Sequence, residues 1–250
     1  MHPILFTIWD ISFHVFGIFL GLAFFFGVYF GKKIARRKKL DPELVLKNFF
    51  IFTLVFIFFG RFFYLVFNFE FYSGNFKSFL AISDGGFSFF AAWIFSVGFL
   101  YLLCSLFKQN FWGWIDVFFI SFLSSMFFVE MGRFFSGSTF GTETDLPWGM
   151  VFESVALGFI VPLHPVQIYS AAVMLIIFVI FYPQIKMGLK DGSFSALGIL
   201  ALGFFSFING FFRGDENPIF YFFNSLHIFS LAFMLFGLTR LIFITKKKKK

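Results

Sequence analysis

The sequence predicts an all-α polytopic membrane protein of seven transmembrane helices, with the N-terminus outside and the C-terminus cytoplasmic. Three observations carry this reading. Hydrophobic residues make up 59% of the 250 positions and the mean hydropathy is +0.88, a composition of membrane-embedded chains. Seven apolar runs meet or approach the roughly 20 residues that a helix needs to cross hydrocarbon. When the runs alternate across a bilayer, sixteen of the twenty Lys and Arg residues fall on one side, which the basic excess of cytoplasmic loops places inside.

The runs lie at about 11–31, 48–68, 87–107, 112–131, 166–185, 194–212 and 222–244. The N-terminus, MHPILFTIWDISFHVF, has no basic region and no small-residue cleavage site, so the first span is expected to stay in the membrane. GKKIARRKKL after it is the first cytoplasmic loop. Lys47, Lys108, Lys186, Lys190, Arg240 and the terminal KKKKK then follow on the same side. Pro183 and Pro218 fit near span ends. The lysine tail reads as a topology anchor touching anionic membrane lipids, and no nucleic acid is implied as a partner. No internal repeat interrupts this pattern. The expectation is one integral membrane domain, residues 1–250, with an outward-facing polar segment at 132–165.

Composition also excludes chemistry. Cys104 is the one cysteine, so no disulfide within the chain and no cysteine metal cluster can form; no metal or other cofactor is implied. The 53 phenylalanines read as lipid-facing bulk, which makes any single aromatic poor grounds for a binding cage.

The polar stretch from Gly132 to Tyr169 stands apart. It is rich in Gly and Pro and carries Arg133, Glu143, Asp145, Glu153 and His164. Non-helical backbone at a membrane must find hydrogen-bond partners in protein or water, because lipid offers none. Arg61, Arg133 and Arg213 come from separate parts of the chain and fall at the same outer level. Ionisable groups there are costly and tend to be functional, and the arginine fork donates two hydrogen bonds at once to a phosphate. Together they suggest a phospholipid headgroup. The plainer alternative is snorkelling to the interface, with salt bridges to Glu70, Glu130, Asp215 or Glu216.

Six motifs then carry a resemblance. They are HPILFTIWDISFHVFG (His2 to Gly17), with His14 in an H-x-Y-G-like element; GRFFY from Gly60 and Arg61; DGGFSF from Asp84; GTETDLPWGMVF from Gly141; LHPVQIY from Leu163; and FFRGDE from Phe211. In this order and on this topology the chain resembles the prolipoprotein diacylglyceryl transferases, seven-span bacterial enzymes. The resemblance implies transfer of sn-1,2-diacylglyceryl from phosphatidylglycerol to the lipobox cysteine thiol of a prolipoprotein signal peptide, with glycerol phosphate leaving, at the outer face of the inner membrane. Such chemistry needs a cationic clamp on the phosphate and a group that takes the thiol proton.

The site residues follow from the resemblance. Glu130, Arg133, His164 and Arg213 are the catalytic candidates. Arg61, Gly85, Gly86, Ser88, Gly141, Asp145, Gln167 and Tyr169 are the substrate-binding candidates. The chain also departs from the family. Phe90, Ala91 and Ala92 replace a histidine and two glycines, and Phe16 replaces a tyrosine. Ser170 replaces an acid, and Ser206 and Gly210 replace the Arg and Glu of an R-x-x-x-E upstream of FFR. Without gaps, Glu130 stands at the family's essential arginine; with a three-residue gap, Arg133 does. Two readings therefore remain open. One is an active transferase. The other is a catalytically impaired paralogue that binds phospholipid or lipoprotein precursors. A transporter is disfavoured by the lack of an inverted repeat. His164 likewise has a structural alternative, opening a helix after its proline with its ring bonded to backbone.

Overall fold

A computed structural model describes residues 4–9, 11–69, 87–137, 139–152, 161–185, 189–214 and 223–246 of the 250. Seven α-helices occur among them: α1 (Val15–Arg37), α2 (Glu43–Phe67), α3 (Phe89–Leu106), α4 (Phe111–Ser136), α5 (Val166–Gln184), α6 (Ser193–Asn209) and α7 (Ser225–Lys246). Six of them contain a stretch long and apolar enough to cross a membrane, and α3 supplies a shorter apolar helix, Ala91–Leu106. The protein is a multi-pass membrane protein. Large apolar side chains on the helices face outward, such as Phe204 at 61% and Phe243 at 72% exposure, which suits a hydrocarbon solvent.

The first span begins later than the sequence suggested. Strands β1 (Ile4–Ile8) and β2 (Ile11–His14) form an antiparallel hairpin, with Thr7 opposite Ser12 and Ile8 opposite Ile11. Helix α1 starts only at Val15 and runs on through Lys32 to Arg37. Hydropathy does not separate an apolar strand from an apolar helix, and the basic stretch prolongs α1 because its side chains find partners. Arg37 stacks on the Tyr182 ring at 4.2 Å and donates to the Tyr182 carbonyl at 3.1 Å.

The chain divides into two compact units, one of Met1–Lys39 with Trp112–Lys250 and one of Leu40–Phe111. In the second unit α2 packs on α3 through phenylalanines. Phe59 stacks on Phe95 at 3.9 Å, and Phe52 meets Phe99 edge-on at 4.8 Å. The Phe87 ring covers Gly60 so closely that a Cβ there would overlap it. The Ser88 amide, at the start of α3, donates to the Gly60 carbonyl at 2.9 Å.

In the first unit small residues set the helix spacing. A Cβ on Gly203 of α6 would meet the Ser230 carbonyl of α7 at 3.0 Å, and one on Gly237 would meet the Ala196 carbonyl at 2.8 Å. Lipid gives no hydrophobic force between helices, so close backbone approach and hydrogen bonds hold them. Helix α4 meets α1 the same way: Ser125 Oγ donates to the Ala23 carbonyl at 2.8 Å, and Phe26 stacks on Phe128 at 4.6 Å.

One end of this unit is tied by a buried charge. Asp116 is 0% exposed. Its carboxylate accepts from Lys38 Nζ, the Gly192 amide, the Ser195 amide and Ser195 Oγ, each at 2.8 Å. Lys38 also pairs with Asp191 at 2.7 Å. Gly192 holds φ of +86° at the N-cap of α6, with Arg240 and Trp112 filling the space a side chain would need. Asp116 thus closes the start of α6 from α4 and fixes the end of α1 in the same stroke.

Candidate functional site

The other end of α4 carries the candidate site. Arg133 lies 17 residues beyond Asp116, which places it roughly 25 Å further along the helix. Glu130 and Arg133 stand one turn apart on α4 and pair at 3.2 Å, the carboxylate side chain 12% and the guanidinium 41% exposed. Both line a small cleft, together with Thr139, Val166, Gln167, Ser170, Asn209 and Arg213. About 30 Å³ of the cleft is open to the centre of a water-sized sphere, and the cleft continues outward into open space. Among the described residues its charged lining is two guanidiniums and one carboxylate.

The walls come from α4, the arm after it, the start of α5, and the end of α6 with the turn beyond it. Helix α4 ends at Ser136, and Gly137 at φ +64° turns the chain away, a conformation that only glycine adopts without steric cost. Residues 139–144 then run as an extended arm. Gly141 bridges Arg213, and Glu143 bridges Leu163. Strands β3 (Met150–Val151) and β4 (Pro162–Leu163) complete the small sheet, with Met150 opposite Leu163. Around Arg213, the Thr142 amide donates to the Phe212 carbonyl at 2.8 Å and the Gly214 amide to the Phe140 carbonyl at 3.1 Å. A 3-10 turn, Gly210–Phe212, leads from α6 into this position. Arg213 is therefore aimed by its backbone, from both sides, at a cleft whose opposite wall is α4.

His164 does not line the cleft. It is 8% exposed, and its amide donates to the Thr142 carbonyl at 3.0 Å. Its Nδ1 meets the Tyr169 hydroxyl at 3.1 Å, and that hydroxyl also accepts from Trp148 Nε1 at 2.9 Å. The ring packs on Phe212 at 4.9 Å between centroids. His164 and Tyr169 thus brace the arm to the start of α5 and to the turn that carries Arg213. Gly141 is buried against them because a Cβ would overlap the carbonyl oxygens of both His164 and Phe212.

The sequence model of the prolipoprotein diacylglyceryl transferase family matches residues 3–243. The chain belongs to that family. Among curated relatives, the phosphatidylglycerol–prolipoprotein diacylglyceryl transferase of Campylobacter hominis is 26% identical, over 99% of this chain and 92% of its own. That of Chlamydia caviae is 27% identical over 97% and 90%, and that of Nitratidesulfovibrio vulgaris 30% over 78% and 76%.

In this transferase-family chain the remaining site candidates are dispersed. Arg61 and Ser88 belong to the second unit. Arg61 is 8% exposed, with its guanidinium over the Tyr64 ring at 5.7 Å. Asp145 lies exposed on the turn after Thr144, where Thr144 Oγ1 accepts from the Leu146 amide at 3.3 Å. Gly85 and Gly86, with Glu70, Glu153, Asp215 and Glu216, fall outside the described residues. Gln167 is 1% exposed on the cleft wall, and its Nε2 donates to the Thr139 carbonyl. Asn209 is a cleft residue that the sequence reading passed over. The available signal was an amide within an otherwise apolar run, which a membrane segment keeps only with partners or purpose.

Proposed function

We propose that this chain transfers a diacylglyceryl group from phosphatidylglycerol to the lipobox cysteine of a prolipoprotein signal peptide, with the cleft facing the outer side of a bacterial inner membrane. The supporting observation is that Arg133 and Arg213, eighty residues apart in sequence, line one cleft in a chain of this family. The thiol sulfur bonds to the glyceryl carbon that carries the phosphate, and that carbon's bond to oxygen breaks. The electron pair leaves with glycerol phosphate. A phosphodiester with one negative charge becomes a monoester approaching two, so charge grows on the phosphate as the bond breaks. Preorganised guanidiniums interact more strongly with that growing charge than with the ground state, which is the condition for raising the rate.

Glu130 supplies a carboxylate to the cleft lining, and in this reading it takes the thiol proton. Its pairing with Arg133 also accounts for the family's displaced arginine. Glu130 and Arg133 share one face a turn apart, so either alignment leaves a cation on the same wall. His164 serves as a brace for the arm.

The test is transfer by the purified protein in proteoliposomes containing phosphatidylglycerol and a lipobox peptide. The expected products are a diacylglyceryl thioether on the peptide, seen by mass spectrometry, and free glycerol phosphate. Phosphatidylglycerol binding without product would instead identify the impaired, binding-only paralogue. Phe90, Ala91, Ala92, Ser206 and Gly210, at positions where the resemblance implies ionisable groups or glycines, are the observation that favours that alternative. Gly141→Ala tests the arm in the same assay. Its methyl would collide with two backbone carbonyls and displace Arg213, and displacement on the ångström scale lowers the rate by about 10²-fold. An unchanged rate would show that the arm does not position the clamp.

A further inference from the structure

Two buried amide oxygens lining the cleft have no hydrogen-bond partner among the described residues: Gln167 Oε1 and Asn209 Oδ1. The residues are 1% and 6% exposed. The orientation of Gln167 is fixed chemically. Its amide meets the Thr139 backbone carbonyl, which can only accept, so the nitrogen faces Thr139 and the oxygen is left over. Asn209 uses Nδ2 on Ser170 Oγ at 3.2 Å. Buried polar groups are nearly always paired, and each exception calls for an explanation. Here two exceptions line one cleft, whose charged groups among the described residues are two arginines and a glutamate.

The cleft therefore offers donors and acceptors together. The guanidiniums donate and carry positive charge. The amide oxygens accept and would face a phosphate unfavourably. A ligand matching both is a phosphate ester bearing free hydroxyl groups close to the phosphorus. A quaternary ammonium headgroup has no proton to donate. A primary ammonium donates but adds positive charge beside two guanidiniums.

We infer that Gln167 and Asn209 are specificity-determining residues that accept hydrogen bonds from the hydroxyls of the phospholipid headgroup, while Arg133 and Arg213 hold its phosphate. The inference rests on the lipid-binding reading of the cleft given above. It adds to that reading the groups that separate a polyol headgroup from other phosphodiesters. A site built to bond a hydroxyl discriminates strongly against the analogue that lacks it, because its own polar groups are then left unpaired.

The experiment compares phosphatidylglycerol with phosphatidylpropanol, which keeps the phosphate and lacks both headgroup hydroxyls, in nanodiscs of otherwise zwitterionic lipid. Binding and steady-state transfer are measured for the full-length protein and for Gln167→Met and Asn209→Leu. The wild type is expected to prefer phosphatidylglycerol by about tenfold or more, the scale of one lost hydrogen bond. Each variant should lose most of that preference through a higher KM for phosphatidylglycerol, with phosphatidylpropanol little changed. A merely structural role would weaken both lipids alike and leave their ratio intact, and that outcome overturns the proposal. Equal use of the two lipids by the wild type also overturns it, without recourse to any variant. If the wild type uses neither lipid, the lipid-transfer reading of the cleft fails instead.

Discussion

Arg213→Ala is expected to lower diacylglyceryl transfer by about 10²- to 10³-fold if Arg213 is part of the proposed phosphate clamp, the loss seen when one preorganised donor to a developing oxyanion is removed. The backbone around Arg213 is held by its bridge to Gly141 and by the bonds from Thr142 and Gly214. Truncating the side chain leaves these in place, so the melting temperature should stay near that of the wild type while the rate falls. Arg133→Ala should act in the same direction with a smaller effect. Its guanidinium is 41% exposed and shared with Glu130, and removing it also frees the carboxylate to repel the phosphate. The two losses should not add, because both groups are proposed to act on one phosphate. Lysine at either place restores charge without the two-pronged donor geometry, so rescue should be partial. The measurement is kcat and KM for phosphatidylglycerol in proteoliposomes. If both alanine variants bind and transfer like the wild type, Arg133 and Arg213 are not the clamp.

Asp116→Ala destabilises the fold by about 3–5 kcal/mol, the usual cost of removing one partner from a buried ion pair. Its carboxylate joins the end of α1, the start of α4 and the start of α6 through four donors. Alanine would leave Lys38 with Asp191 alone and the Gly192 and Ser195 amides uncapped. Asp116→Asn keeps one acceptor oxygen and should fall between. Unfolding in detergent, followed by exposure of buried aromatics or by protease susceptibility, gives the ranking. A variant as stable as the wild type would show that the junction contributes no stability.

The same junction predicts a pH dependence. Burial pulls the Lys38 amine down, but Asp116 and Asp191 together raise it further, so the net direction is up from 10.5. The amine is charged in both folded and unfolded chains below pH 10.5. The stabilisation from the pair is thus complete through neutral pH and is lost only as pH rises above that value through the folded pKa. Unfolding measured from pH 7 to 10 should show no loss from this pair.

Much of the fold was legible because lipid permits so little. Apolar runs near 20 residues have one main use in a chain this hydrophobic, and the expected runs fall on the observed helices. The error at residues 11–14 came from a hairpin whose strands are as apolar as the helix after it. Asp116 lay in the open as an acid inside a long apolar run, yet its meaning depended on Lys38, Gly192 and Ser195, 76 to 79 residues away. Asn209 was hidden for the same reason.

The sequence by itself determined that the chain is a membrane protein and which family it belongs to, and it set apart the polar stretch from Gly132 to Tyr169 as a candidate site. Composition and local motifs hold that much, because hydropathy is a property of single residues and TDLPW or HPVQIY of short runs. Only the tertiary structure decided which ionisable groups meet. The bridge between Gly141 and Arg213 brings a guanidinium from beyond the end of α6 to a cleft walled by α4, while His164 lies against Phe212 and Tyr169. These contacts join residues far apart in the chain, through backbone bridges and specific side chains alike, so the partners become visible only once the chain is folded.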